Sequence, residues 1–170
     1  METGDGTQLL RDLADIRSIV EPTAAHRAAR YRIADDLTAL ETALDAMGQA
    51  QIDSAAAEAD AAFHRALLAV TGNERLRRMG LLLEPGLRER DRVVHVHGDA
   101  VDPVPSHRAV LDATRDQGPD RAEFAMLDLL AKAVRDMEDL ARPSGNTAPL
   151  KAEATTRRNR TARRRHSRTS

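Results

Sequence analysis

Apolar residues recur along this chain at alternating three- and four-residue steps, the period of a helix laid against a core. No stretch of useful length alternates with the period of a strand. Six helices are predicted. The first spans about Thr7 to Ala29, with Leu9, Leu10, Leu13, Ile16, Ile19 and Val20 on one face. Pro22 should kink it, because proline removes a donor and crowds the preceding turn. The second begins near Asp35, carries Leu37, Leu40, Leu44 and Met47 inward, and closes at Gly48 as a C-terminal cap. The third runs from about Ile52 to Val70 and ends in the turn sequence Thr71-Gly72-Asn73. The fourth starts at Glu74, carries Leu76, Met79, Leu82 and Leu83, is disturbed at Pro85-Gly86 and resumes from Leu87 to Val94. A loop is expected through His97-Gly98-Asp99, Pro103 and Pro105. The fifth helix starts near Ser106, a good N-cap, and carries Val110, Leu111 and Thr114. After Gly118-Pro119-Asp120 the sixth runs to about Leu140, with Ala122, Met126, Leu129, Leu130, Ala133 and Met137 inward. The prediction is an all-α fold, an antiparallel bundle of about six helices.

Composition narrows the picture. The chain has 170 residues, 41% of them hydrophobic but only 2% aromatic, so its core is Ala, Leu and Val, which suits close-packed helices. It has no cysteine, which excludes disulfides, thiolate catalysis and thiolate-bound zinc. No apolar run approaches the ~20 residues of a membrane span and no signal peptide opens the chain, so a cytoplasmic protein is expected.

The net charge of −1 hides an asymmetry: from Pro143 onward eight basic residues face one acid, giving the tail +7 and leaving the body at −8. Apolar periodicity stops at the same point. The expected organisation is a disordered N-terminus over 1–6, a helical ligand-binding domain over 7–142 and a disordered Arg-rich tail over 143–170. Arg157, Arg158, Arg163, Arg164 and Arg165 could bind nucleic-acid phosphates weakly and nonspecifically. With no aromatic stacking residue beside them, a solvated tail is the simpler reading.

The informative spot for chemistry is Asp60-Ala61-Ala62-Phe63-His64. An acid and an imidazole four apart are neighbours on one helix face. Measured from the centre of the stripe of Ile52, Ala56, Ala59, Phe63, Leu67 and Val70, Asp60 lies about 60° away and His64 about 100°. They line the edge of the buried face, where they could supply two ligands to a divalent metal; the bland alternative is an exposed pair worth a few tenths of a kcal/mol. His107 lies one turn before Val110 and Leu111 and shares their inward face. His95 and His97 sit in the expected loop, and His26 and His166 have no partners at ligand spacing.

These residues resemble a known family. The run from Leu10 to Pro22 resembles the opening helix of the FCD domain, the effector domain of the FadR subfamily of GntR transcription regulators, and Asp35-Asp36-Leu37-Thr38-Ala39-Leu40 is similar to its second helix. Asp60 to Leu67, followed by Thr71-Gly72-Asn73-Glu74, resembles its most recognisable motif, and Ser106-His107-Arg108 its Glu-His-Arg motif. The likeness covers about residues 7–140 in unbroken order. It implies a bundle whose central pocket binds a small carboxylate, with a metal held by Asp60, His64, His107 and a further histidine in the last helix. That last position is Leu129, which cannot ligate. Three ligands remain, so the resemblance implies a divalent metal, zinc or nickel, bound weakly or not at all. It also implies that Arg17 reaches the effector carboxylate and that the domain forms a homodimer, or a heterodimer with a full-length relative. The family's winged helix should precede Leu9-Leu10 and only eight residues do, so DNA contact is expected only indirectly or through the tail. A metal-dependent enzyme built on Asp60, His64 and His107, and a stand-alone scaffold or ligand sink, are the alternatives.

Overall fold

The computed structural model describes residues 3–97 and 102–141. Every regular element among them is a helix: α1 (Thr3–Tyr31), α2 (Ala34–Gln49), α3 (Asp53–Val70), α4 (Glu74–His97), α5 (Val104–Arg115) and α6 (Pro119–Ala141). The basic tail lies outside the described residues. None of the described helices is long and apolar enough to cross a membrane.

Helix α3 is the middle of the bundle, packed against α1, α2 and α4, while α6 closes the other side against α1 and α5. One core joins Leu40 and Leu44 of α2, Phe63 and Leu67 of α3, and Val110, Leu111, Met126 and Leu129 of α5 and α6. A smaller cluster joins Leu13, Ala24, Leu68 and Leu83. Alanine does much of the packing: Ala24, Ala25, Ala28 and Ala29 of α1 are all buried, and side chains this short let helix axes approach.

Turn chemistry sets the α3–α4 junction. Gly72 takes φ +65°, a left-handed conformation in which a side chain would be strained. The Asn73 side chain then accepts the Arg75 N–H at 2.9 Å and caps α4. At Gly80 the two helices nearly touch, since a Cβ there would lie 3.3 Å from the Arg65 Cα. Gly80→Val should therefore cost about 1–3 kcal/mol by overpacking. The measurement is a urea midpoint, and an unchanged midpoint would mean that α3 and α4 separate without cost.

Several boundaries differ from the sequence reading. Pro22 lies inside α1, as expected, and Pro85, expected to disturb α4, lies inside a continuous helix, where packing on both sides of the lost hydrogen bond keeps the turn helical. Helix α2 runs through Gly48 and is capped at Ala50. Helix α5 starts at Val104, because Pro105 falls in the first turn, where a helix does not need its N–H. Ser106 is thus inside the helix, and the Asp102 side chain instead accepts the Val104 N–H at 3.0 Å. Helix α4 extends to His97, so His95 and His97 lie on its last turns rather than in a loop.

The larger correction concerns which face of α1 points inward. Leu9, Ile16 and Ile19 are exposed, Ile19 by 74%, whereas Leu13, Arg17, Glu21, Ala24 and Ala28 are buried at helical spacing. Ile52 and Leu82, also expected inside, are exposed as well.

Candidate functional site

Helix α3 is buried over a wide arc because three helices cover it. Asp60 and His64 therefore lie in the interior, 3% and 1% exposed, rather than at the edge of the buried face. Helix α5 brings His107 to them. Its Nε2 lies 3.0 Å from Asp60 Oδ1 and 3.4 Å from His64 Nε2. His64 Nε2 is 3.7 Å from the same Asp60 oxygen. Phe63 stands edge-on to both imidazoles, 4.9 Å from the His107 ring centroid and 5.9 Å from that of His64. It fills the apolar side of the cluster.

Arg17 joins them from α1, 2% exposed, with its Nε donating to Glu21 Oε1 at 3.0 Å. Its Nη2 lies 2.8 Å from His64 Nε2 and 3.4 Å from Nδ1 of the same ring. Being that near both nitrogens puts the guanidinium over the imidazole face, away from the in-plane lone pair of either. Two further residues complete the shell. Glu21 Oε2 is 3.0 Å from His64 Nδ1, and Arg90 Nη2 is 3.4 Å from Asp60 Oδ2. Neither Glu21 nor Arg90 was singled out in the sequence. Glu21 had a signal, four residues after Arg17 on the same helix face. For Arg90, thirty residues from Asp60, there was none.

Burial alone would push the Glu21 carboxyl up, but Arg17 and His64 beside it outweigh burial and hold it at about 2. Asp60 is likewise penalised by burial and nevertheless held well below the usual carboxylate range by Arg90 and the two histidines. Burial lowers the His107 pKa, the nearby Asp60 notwithstanding. Burial opposes charge on His64 too, yet Glu21 and Asp60 prevail and raise its pKa.

The donor set fits a small divalent cation. Asp60, His64 and His107 each offer one ligand atom within 4.8 Å of the others. Metal–ligand bonds of about 2.0–2.1 Å at tetrahedral angles place ligand atoms about 3.3 Å apart. The three separations of 3.0, 3.4 and 3.7 Å bracket that value. His107 is also oriented to ligate, because its Nδ1 meets the Pro103 carbonyl at 2.9 Å, which leaves Nε2 with the lone pair. Leu129 is buried in the same core as Phe63 and Val110 and brings no donor atom, so the protein ligands brought together here are Asp60, His64 and His107.

A groove of about 760 Å³ between α2, α3 and α4 contains none of these residues. Its lining from α3, Ala55, Ala59, Ala62, Ala66 and Ala69, lies roughly opposite Asp60 and His64 around the helix. Arginines Arg65 and Arg77 and the acid Glu58 line it, with no convergent polar set.

The family model for the FCD domain matches residues 12–132. The galactonate operon transcriptional repressor of Escherichia coli K12 is 29% identical over 143 residues, covering 82% of this chain and 62% of that protein. Two solved structures share the fold. A GntR protein of Streptococcus agalactiae is 24% identical with a TM-score of 0.66, covering 77% of this chain and 60% of its own. A GntR-family transcriptional regulator of Pseudomonas syringae pv. tomato DC3000 is 22% identical with a TM-score of 0.66, covering 83% and 58%. The chain thus spans about three fifths of the length of each relative. With six helices in this order and the family model matching from residue 12 to 132, the chain belongs to the FCD-domain family.

Proposed function

We propose that this domain senses a small carboxylate, gripped by Arg17 and by a divalent metal on Asp60, His64 and His107. The observation that carries the reading is the buried meeting of three ligand atoms with one guanidinium, drawn from α1, α3 and α5. Bound there, a zinc or nickel ion supplies a Lewis-acidic position that an effector carboxylate can complete. The residues themselves supply charge balance and exclusion of water. The name of the Escherichia coli relative suggests a sugar acid such as galactonate as a first compound to try. The alternative of a metal-dependent enzyme falls with the family, whose members are regulators and not enzymes.

The domain is also proposed to act as a dimer. Leu9, Ile16 and Ile19 on one face of α1, and Phe124, Leu127 and Val134 on one face of α6, are exposed at helical spacing, and such stripes favour cover by another subunit. DNA would then be reached through a domain attached to this one or brought by a full-length partner. A light-scattering measurement should give twice the chain mass, and Ile19→Asp with Phe124→Asp should halve it. A monomer at tens of micromolar would refute the dimer.

Thermal melts test the ligand. Zinc, nickel or manganese together with galactonate should raise the midpoint, a site filled at 100 times its Kd adding about 2.7 kcal/mol. Stabilisation by the acid alone would point to a metal-free sensor. No shift with any combination would defeat the sensing role.

A further inference from the structure

We infer that Glu21 is the positioning residue that makes His64 a metal ligand, holding its ring proton on Nδ1 so that Nε2 faces Asp60 and His107. The inference rests on the metal-assisted reading above and concerns a residue outside the ligand set.

An imidazole can ligate through one nitrogen only if its proton sits on the other, so something must choose the tautomer. His107 has its answer in the Pro103 carbonyl, 2.9 Å from Nδ1. Among the described residues no backbone carbonyl bonds to the His64 ring; its Nδ1 meets the Glu21 carboxylate at 3.0 Å. Glu21 is wholly buried, and its other oxygen is already taken by Arg17 at 3.0 Å. The oxygen facing His64 lies off the N–H axis and has no aligned hydrogen-bond partner at all. A buried, unmatched anionic oxygen this close to a ring nitrogen makes a proton there favourable and a lone pair there costly. With the proton on Nδ1, Nε2 presents its lone pair in the ring plane. The guanidinium of Arg17, lying over the ring face, leaves that direction open.

Glu21 acts in a second way on the same cation. Arg17 is a fixed positive charge in contact with a ligand, and in a buried site it would repel a divalent ion. The carboxylate bonded to Arg17 cancels that charge. Removing Glu21 would leave the buried Arg17 charge unanswered by that carboxylate, in contact with His64.

The test measures the tautomer without metal and then the metal itself. In the apo chain, ¹⁵N chemical shifts at a pH where the ring is neutral should show His64 protonated on Nδ1, and Glu21→Gln should show a mixture of tautomers. Cobalt(II) titration by visible absorption should give a tetrahedral spectrum in the wild type. Glu21→Gln should bind cobalt about 10–100-fold more weakly, the usual effect of losing such an outer partner. Circular dichroism confirms that the variant is folded, and Glu21→Asp should recover part of the affinity because the charge is kept. Equal cobalt affinity in the wild type and in folded Glu21→Gln would overturn the role of Glu21 and leave the metal reading standing, as would Nε2-protonated His64 in a wild type that binds cobalt. Absence of any cobalt spectrum in the wild type at millimolar metal would overturn the metal reading, and this inference with it.

Discussion

Arg17→Met should lower the unfolding free energy by about 3–5 kcal/mol, the usual cost of breaking a buried ion pair from one side. Methionine nearly matches the volume of the arginine stem, so little of the loss comes from a cavity. It comes from Glu21, which would be left wholly buried with one oxygen deprived of its partner at 3.0 Å and the other already unaligned with His64. Glu21→Leu alone should cost a comparable amount by stranding Arg17. Together the two substitutions should cost less than either alone, because an apolar pair of similar size has no uncompensated charge to desolvate. Urea unfolding of the four proteins gives the coupling directly. Additive losses would mean that the pair acts through separate neighbours.

Acid should unfold this domain through the same pair. In the native state Glu21 titrates at about 2 against an ordinary 4.5. A carboxyl whose folded pKa is depressed adds stability that is present above its unfolded value and is lost as the pH falls through the folded one. The window therefore opens near pH 4.5 and closes near 2, and a difference of that size corresponds to about 3 kcal/mol. The raised pKa of His64 works in the opposite direction, favouring the fold at lower pH and fading as the pH rises through its folded value. The acid limb of the wild type should accordingly be steep between pH 4.5 and 2, and much shallower in the Arg17→Met, Glu21→Leu protein. Equal slopes in the two proteins would assign acid unfolding to Asp60 or to the surface carboxylates instead.

Much of this site was legible in the sequence. Asp60 and His64, four apart, had to share a face of α3. His107 was placed inward by Val110 and Leu111, and all three are buried. Their meeting within 4.8 Å was not legible, because His107 follows His64 by 43 positions and reaches it only through the packing of α5 on α1, α2 and α6. Arg17 was picked out by resemblance, and its contact with His64 comes from the packing of α1 on α3.

The misreading of α1 has the same physical origin. A hydrophobic pattern assigns the inward face to the stripe carrying Leu9, Ile16 and Ile19, since burying Arg17 and Glu21 is costly when nothing answers them. In the folded chain they answer each other, and His64 answers both, so the charged stripe turns in and the isoleucines turn out. The sequence by itself determined six helices, a core of Ala, Leu and Val, the absence of thiol chemistry and the pairing of Asp60 with His64 on one helix face. Those are properties of local periodicity and side-chain type. Only the tertiary structure decided which face of α1 is buried, that α4 continues through Pro85, and that Glu21 and Arg90 complete the shell of the site. Each of these depends on a charge or a packing surface supplied from elsewhere in the chain, and the desolvation of a buried group is settled only by the partners it finds there.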